Sequence, residues 1–251
     1  MTLLAVDGLR RSFGSLVAVD DVSFGIEPGE IVGMIGPNGA GKTTTFNCVS
    51  GVLKSDAGTV TFDGEDVTDV PAYELARDGL VRTFQQTREL STMTVEANVL
   101  LPTPAHPGER AWHAITRSEA SQQREREARK RAMELLDVFD IRPKADEYAG
   151  TLSGGQRKLL ELARALMLDP TMLMLDEPFA GVNPTLTTEL VDHLESLNDD
   201  GLTLLIIEHE LETLTDLVDR LIVLTDGRVL ATGTPAEITK NEEVIDAYLG
   251  S

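Results

Sequence analysis

The chain has 251 residues, of which 41% are hydrophobic, enough for a sizeable core and consistent with one α/β domain carrying a sub-lobe. A single cysteine, Cys48, excludes an internal disulfide and any multi-cysteine metal site, and makes a cytosolic setting the natural expectation. The net charge of −20 argues against nucleic acid or an anionic lipid surface as a partner.

No apolar run approaches the roughly 20 residues needed to span a bilayer. The N-terminus lacks the charged-then-apolar pattern of a signal peptide. A membrane role would therefore come through partner subunits. The cations comprise 6 Lys and 16 Arg against 42 Asp+Glu. Such a surface resembles that of proteins from salt-loving organisms, where charges are screened within about 3 Å at 1 M salt. An ordinary acidic protein is the alternative.

Along the chain, short apolar runs alternate with helical patterns, which predicts a mostly parallel sheet with helices on its faces. The first sixty residues differ. Leu3–Val6, Val17–Phe24 and Gly58–Phe62 are short, β-branched and bounded by Gly, Asp and Pro, and predict an antiparallel sheet beside the main core.

The apolar run Ile31–Ile35 leads into Gly36-Pro-Asn38-Gly39-Ala-Gly41-Lys42-Thr43, which fits G-x-x-x-x-G-K-[ST] in full. Thr44 then opens a helix with Phe46, Val49 and Leu53 on one face. Strand, glycine loop and helix start together make a phosphate cradle. Lys42 would reach the β- and γ-phosphates, and the Thr43 hydroxyl would ligate Mg²⁺.

The run Leu80–Phe84 ends in Gln85 and Gln86. Residues from about 87 to 162 read mostly helical, with a loop at Pro102, Pro104, Pro107 and Gly108. From Arg110 to Arg131 there are seven Lys/Arg against three Glu, a local basic island. It reads either as a docking surface or as a solvated helix paired internally at Glu125–Arg129 and Glu127–Arg131, the second reading being favoured.

At Leu152-Ser-Gly-Gly-Gln156 a second helix begins, with Leu159, Leu162, Ala163 and Leu166 on its apolar face. Ser153 and Gln156 fit a capping box. Gly154 and Gly155 also bare the helix start for an anion. Met172–Leu175 ends in Asp176 and Glu177, where one carboxylate can hold Mg²⁺ through water and the next can polarise an attacking water. Thr203–Ile207 ends in Glu208 and His209. Ligands bind beyond the carboxyl ends of such strands, so Lys42, Gln85, Asp176, Glu177 and His209 become one site. His106, His113 and His193 are read as structural. There are two phosphate-binding helix starts but one Mg²⁺/water apparatus, so two chains head to tail would make two complete sites.

Gly36–Thr43, Gln85, Leu152–Gln156, Leu173–Glu177 and His209 occur in the order of the ATP-binding cassette family, and the resemblance covers nearly the whole chain. It implies a P-loop NTPase (RecA-like) α/β fold over residues 1–251, with an N-terminal antiparallel β-subdomain and a helical subdomain at about 87–162. It implies ATP with Mg²⁺ and hydrolysis coupled to transmembrane transport. Glu177 resembles the catalytic base, His209 the switch histidine, and Gln85 the residue of the loop that couples to the membrane subunit. Phe13 resembles the aromatic that stacks on adenine. Gly36, Asn38, Gly39, Gly41, Lys42, Thr43 and Thr44 would contact nucleotide from one chain, and Ser153, Gly154, Gly155 and Gln156 from the other. Thr43, Gln85 and Asp176 would hold the metal. The implied partners are a second cassette (identical or not), two transmembrane permease subunits and, indirectly, an extracellular solute-binding protein, with the chain at the cytoplasmic face of the cell membrane.

One position departs: Asn183 stands where many cassettes have Asp, which puts communication between the two sites in doubt. Pro178–Pro184, Leu152–Glu161 and Val81–Gln85 look most like the ATPases of branched-chain amino acid importers. Related cassettes serve urea or short-chain amide uptake, and a lipopolysaccharide exporter shares much of the pattern. A soluble cassette acting on nucleic acid or ribosomes would carry two cassettes or coiled-coil arms. A cassette that binds ATP without turnover would be expected to lack Glu177 or His209.

Overall fold

A computed structural model of the chain describes residues 2–83, 90–103, 119–209 and 214–249. The chain divides into two compact units. One comprises Met1–Gln85, Thr171–Ala180 and Leu194–Ser251, the other Gln86–Pro170 and Gly181–His193.

The first unit holds two sheets. Strands β1 (Leu4–Phe13), β2 (Leu16–Ile26), β4 (Ala57–Phe62) and β5 (Glu65–Asp66) form the expected antiparallel sheet in the order β2-β1-β4-β5. The second sheet is built from β3 (Ile31–Ile35), β6 (Leu80–Arg82), β7 (Met172–Asp176), β8 (Thr203–Ile207), β9 (Arg220–Thr225) and β10 (Arg228–Gly233). Its order is β10-β9-β3-β8-β7-β6, parallel throughout except for the β9–β10 hairpin.

Every residue of β3, β7 and β8 is buried. Continuous apolar runs suit strands covered on both faces, whereas alternation would suit a half-exposed sheet. Helix α1 (Lys42–Val49) covers part of this sheet with Phe46, Cys48 and Val49. Leu4, Leu9, Val22 and Phe62 of the antiparallel sheet join Val32, Met34, Phe46, Met174 and Ile222 in one apolar cluster. The predicted helix continuing to Leu53 stops at Val49, and Leu53 reaches the cluster from a turn whose N–H donates to the Asn47 carbonyl at 2.9 Å.

The amino ends of the parallel strands are tied by polar side chains. Arg220 Nε and Nη2 donate to the two Glu30 oxygens at 2.6 and 2.8 Å, and Nη2 also reaches the Gly25 carbonyl at 2.7 Å. The Ile31 N–H donates to Asp219 at 2.9 Å, and Asn198 Nδ2 donates to the Gly29 and Leu202 carbonyls, both at 2.8 Å.

The second unit contains α3 (Val95–Leu100), α4 (Glu119–Val138), α5 (Gly154–Leu166) and the start of α6 (Pro184–Asp199). Helix α4 buries only its C-terminal stripe, with Ala132, Leu135 and Leu136 followed by Phe139 and Ile141. From Gln122 to Arg131 it is almost wholly exposed, as a solvated helix should be. Its cations are paired differently from the expected i,i+4 scheme. Arg129 engages Glu96 of α3 at 2.5 Å, and Arg131 lies 4.0 Å from Asp169. Glu127 accepts instead from Gln123 at 2.7 Å. The reason is desolvation: the Glu96 side chain is 11% exposed and needs a cation more than the solvated Glu125 does. His193 packs edge-on against Phe139, with ring centroids 5.0 Å apart. His106 and His113 lie outside the described residues. Among the described residues, no helix is long and apolar enough to cross a membrane.

Candidate active site

Register aligns the strand ends. Asp176 of β7 pairs with Ile207 of β8, and Met34 of β3 with the same Ile207. The segments beginning at Gly36, Glu208 and Glu177 therefore leave three neighbouring strands at one level, with β6 next in line ending at Arg82.

The glycines of the phosphate loop are required by the backbone. Gly36 has φ 153°, and a Cβ there would sit 2.2 Å from the Leu224 carbonyl oxygen. Gly41 has φ 96°, and its Cβ would sit 2.4 Å from the Ala18 oxygen. No side chain fits either place, so the loop wraps tightly before α1. Asn38, Gly39 and Thr43 are exposed, and Thr44 is half-buried. Lys42 is buried, its Nζ donating to the carbonyls of Gly36 at 2.5 Å and Pro37 at 3.1 Å. Burial lowers its pKa, opposed by the charge of Glu177. The first N–H groups of α1 have no acceptor within the helix, as at any helix start. Together with Lys42 they make a cluster of donors suited to phosphate.

Glu177 has φ 50°. The other non-glycine residues at positive φ among the described residues are all Asp, a type that tolerates this region. A glutamate there is strained by about 1–3 kcal/mol. It is held by its N–H to the Ile207 carbonyl (2.9 Å) and by the Ala180 N–H to its own carbonyl (3.2 Å). The turn aims Glu177 at His209, whose Nε2 lies 2.5 Å from Oε1. The His209 side chain is 45% exposed and that of Glu177 15%. A short His–carboxylate contact beside a buried lysine has the makings of a base that takes a proton from water.

Asp176 is buried, which raises its pKa, while Arg82 pulls the other way. Its Oδ2 accepts from Arg82 Nη2 at 2.9 Å, and its Oδ1 has no hydrogen-bond partner among the described residues. A buried carboxylate oxygen left open is costly unless something polar completes it. Gln85, the third predicted metal ligand, lies outside the described residues.

The second predicted anion site lies at the start of α5, within the second unit. The capping box at Ser153 is present: Ser153 Oγ accepts from the Gln156 N–H (3.2 Å), and Gln156 Oε1 accepts from the Ser153 N–H (3.1 Å). The two glycines have different reasons. Gly154 is open, a Cβ there meeting nothing closer than Arg157 at 4.0 Å. At Gly155 a Cβ would strike Leu186 at 1.6 Å, so this glycine serves packing. Asn183 is the cap of α6, its Oδ1 accepting from the Leu186 N–H at 3.0 Å, a task an aspartate would do equally well. Phe13 ends β1 with its ring 48% exposed, and the Arg11 guanidinium lies 5.1 Å from its centroid.

Three residues near the site had no role in the sequence reading. Glu208 is buried: Oε1 accepts from the Phe179 N–H at 2.9 Å and Oε2 from the His209 N–H at 3.3 Å, so it ties the segment after Glu177 to the one carrying His209. The only sequence signal was its place beside His209. Arg82 is paired with Asp176 but stands in the sequence as a polar residue inside the run Leu80–Phe84. Tyr248, in the last described helix (Glu242–Leu249), is close enough to feel a hydrogen bond at the Gly36 backbone, and burial pushes its hydroxyl up to about 12.

A buried lysine in a glycine cradle, and a strained glutamate on a histidine at the next strand ends, define a nucleotide-hydrolysing cassette. The profile of the ABC transporter family matches residues 19–180, and the chain belongs to that family. It is thus an ATPase whose hydrolysis is coupled to transport. A second profile, described as branched-chain amino acid ATP-binding cassette transporter, matches residues 228–251. The chain is 40% identical over 249 residues to the high-affinity branched-chain amino acid transport ATP-binding protein BraF of Pseudomonas aeruginosa, covering 99% of this chain and 98% of the relative. It is 40% identical to the probable branched-chain amino acid transport ATP-binding protein LivG of Archaeoglobus fulgidus, covering 100% and 96%. Among solved structures it is similar to a nucleotide-free ATP-binding cassette from an ABC transporter (TM-score 0.86) and to an ADP-bound cassette (TM-score 0.87), each 35% identical and covering the full length of both chains.

Proposed function

We propose that this chain powers the uptake of branched-chain amino acids, as the ATPase subunit of an importer with two transmembrane permease subunits, a second cassette and an extracellular solute-binding protein. The observation that carries this reading is likeness along the whole chain, down to the last 24 residues, to proteins named for that transport. In this reading the chain sits at the cytoplasmic face of the membrane, and the unit beginning at Gln86 is the helical subdomain that meets the permeases.

The site then works as follows. The N–H groups of Gly36–Thr44 and the Lys42 ammonium hold the β- and γ-phosphates, Lys42 exchanging its loop carbonyls for phosphate oxygens. Phe13 offers its open face to adenine. Glu177 accepts the proton of the attacking water. The new P–O bond forms as the β–γ bridging bond breaks, and ADP and phosphate leave. His209 holds the Glu177 carboxylate in line. Thr43, Gln85 and Asp176 would hold Mg²⁺, which neutralises phosphate charge when bound; the open Asp176 Oδ1 fits such a role. Ser153, Gly154 and Gln156 of a second chain close over the γ-phosphate, with Gly155 keeping that helix start in place. The acidic surface fits a salt-rich interior, so stability should rise between about 0.1 and 2 M KCl as repulsion is screened.

Uptake of labelled leucine, isoleucine, valine and urea by cells with and without this subunit tests the assignment. Loss of the three amino acids with urea unaffected is expected. Loss of urea alone would move the chain to amide transport.

A further inference from the structure

Arg82 holds Asp176 in an unusual way. Arginine and carboxylate commonly meet as two forks, two N–H groups on two oxygens. Here only Nη2 meets the carboxylate, at Oδ2 and 2.9 Å, and Nε, though buried, has no hydrogen-bond partner among the described residues. The other amino group, Nη1, is spent on α1, donating to Asn47 Oδ1 at 2.5 Å and Ser50 Oγ at 3.0 Å. Ser50 Oγ is itself oriented, donating to the Phe46 carbonyl at 2.7 Å. The guanidinium lies over the Phe46 ring, 4.7 Å from its centroid, which fixes its plane. The backbone is fixed as well, since β6 pairs with β7 and the Thr83 N–H donates to the Met174 carbonyl at 2.9 Å. Arg82 is thereby anchored to the helix after the phosphate loop and to the strand that carries Asp176.

The consequence is asymmetry. One oxygen of Asp176 is occupied and the other, Oδ1, is buried and open. A guanidinium free to turn would bring Nε or Nη1 onto Oδ1, but the bonds of Nη1 to Asn47 and Ser50 and the Phe46 ring hold its plane so that neither meets it. We propose that Arg82 is a positioning residue for the divalent cation, spending one amino group on Asn47 and Ser50 so that Asp176 presents Oδ1 alone to the metal's water shell. This rests on the assignment of Asp176 to the metal made above. A purely structural ion pair would need no such sharing, and its loss would weaken the fold without singling out the metal.

The test measures ATP affinity of the folded protein with Mg²⁺ and with EDTA. The ratio of the two affinities isolates the metal from the phosphate loop. In Arg82→Lys the charge stays but the fork is lost. In Asn47→Ala the buried pair stays but the anchor is lost, so this variant guards against misfolding of the first. We expect the Mg²⁺-dependent gain to fall about tenfold in Arg82→Lys and several-fold in Asn47→Ala, with affinity in EDTA unchanged within about twofold. A full Mg²⁺-dependent gain in both folded variants overturns the proposal. Asp176→Asn separates the two assignments. If it loses the gain while both other variants keep it, only the role of Arg82 falls; if it keeps the gain, the metal assignment falls too.

Discussion

The two ends of the parallel sheet use polar side chains in opposite ways. At the amino end every contact is satisfied: Arg220 grips both oxygens of Glu30 and the Gly25 carbonyl, and Asp219 takes the Ile31 N–H. At the carboxyl end Glu208 is bonded at both oxygens, but the groups of the site beside it are left open. Lys42 leans on loop carbonyls, Asp176 keeps an open oxygen, and Glu177 is bent into positive φ. The strands run through both ends, so packing alone does not cause the difference. Closed polar groups stabilise, and open ones wait for a ligand. A parallel sheet makes this division natural, since its loops of one kind all emerge at one end.

Substitutions that respect or violate this division break or sharpen it. The largest effect belongs to Glu177→Gln, which should lower ATP turnover by about 10²-fold or more while leaving ATP binding intact, read by steady-state phosphate release and equilibrium binding. Lys42→Ala should weaken ATP binding by about 1.5–3 kcal/mol, ten- to a hundredfold, by the loss of charge-assisted contacts. Its thermal midpoint should barely fall, because the lysine is poorly housed without phosphate. At the other end the pattern reverses. Arg220→Met should cost about 2–3 kcal/mol in denaturant unfolding, leaving Glu30 unpaired, with ATP affinity unchanged. Weaker ATP binding in that variant would erase the distinction between the ends.

The smallest effect is a pH dependence at the structural end. Burial works against ionisation of Glu30, but the Arg220 hydrogen bonds and charge outweigh it and hold the carboxyl below its usual value of 4.5. Its stabilisation is therefore present above about pH 4.5 and lost as pH falls through the lower folded value. Glu30→Gln should flatten that part of the acid limb in urea unfolding and leave the neutral region nearly parallel to the wild type.

Much of the carboxyl end was legible in the sequence because its chemistry is local. Gly36–Thr43 is one contiguous motif, and Asp176, Glu177 and His209 directly follow apolar runs long enough to read as buried strands. The antiparallel sheet was legible too, from short β-branched segments between turn residues. The amino end was not: Glu30 and Arg220 are 190 residues apart and each reads as a loop charge. Arg82 was missed for the same reason, since its partner Asp176 is 94 residues away. The pairing of Arg129 with Glu96 in place of Glu125 shows the limit of helix periodicity, which ranks neighbours on one helix but cannot see a desolvated carboxylate on another. Gly155 has a reason that the sequence hides, because a glycine beside a helix start suggests ligand access and gives no sign of the packing of Leu186 that also requires it.

In the proposed head-to-tail pair, nucleotide, metal and water fill the open groups at the carboxyl end, and Ser153 of the second chain closes the site over them. Mixing two inactive variants, Glu177→Gln and Ser153→Ala, tests it directly. In a head-to-tail pair, the chain with intact Glu177 meets the chain with intact Ser153, so one of the two sites is whole. Phosphate release from the mixture should recover to a substantial fraction of the wild-type rate, well above either variant alone. A mixture no more active than its components, although the two chains associate with ATP, would contradict the account.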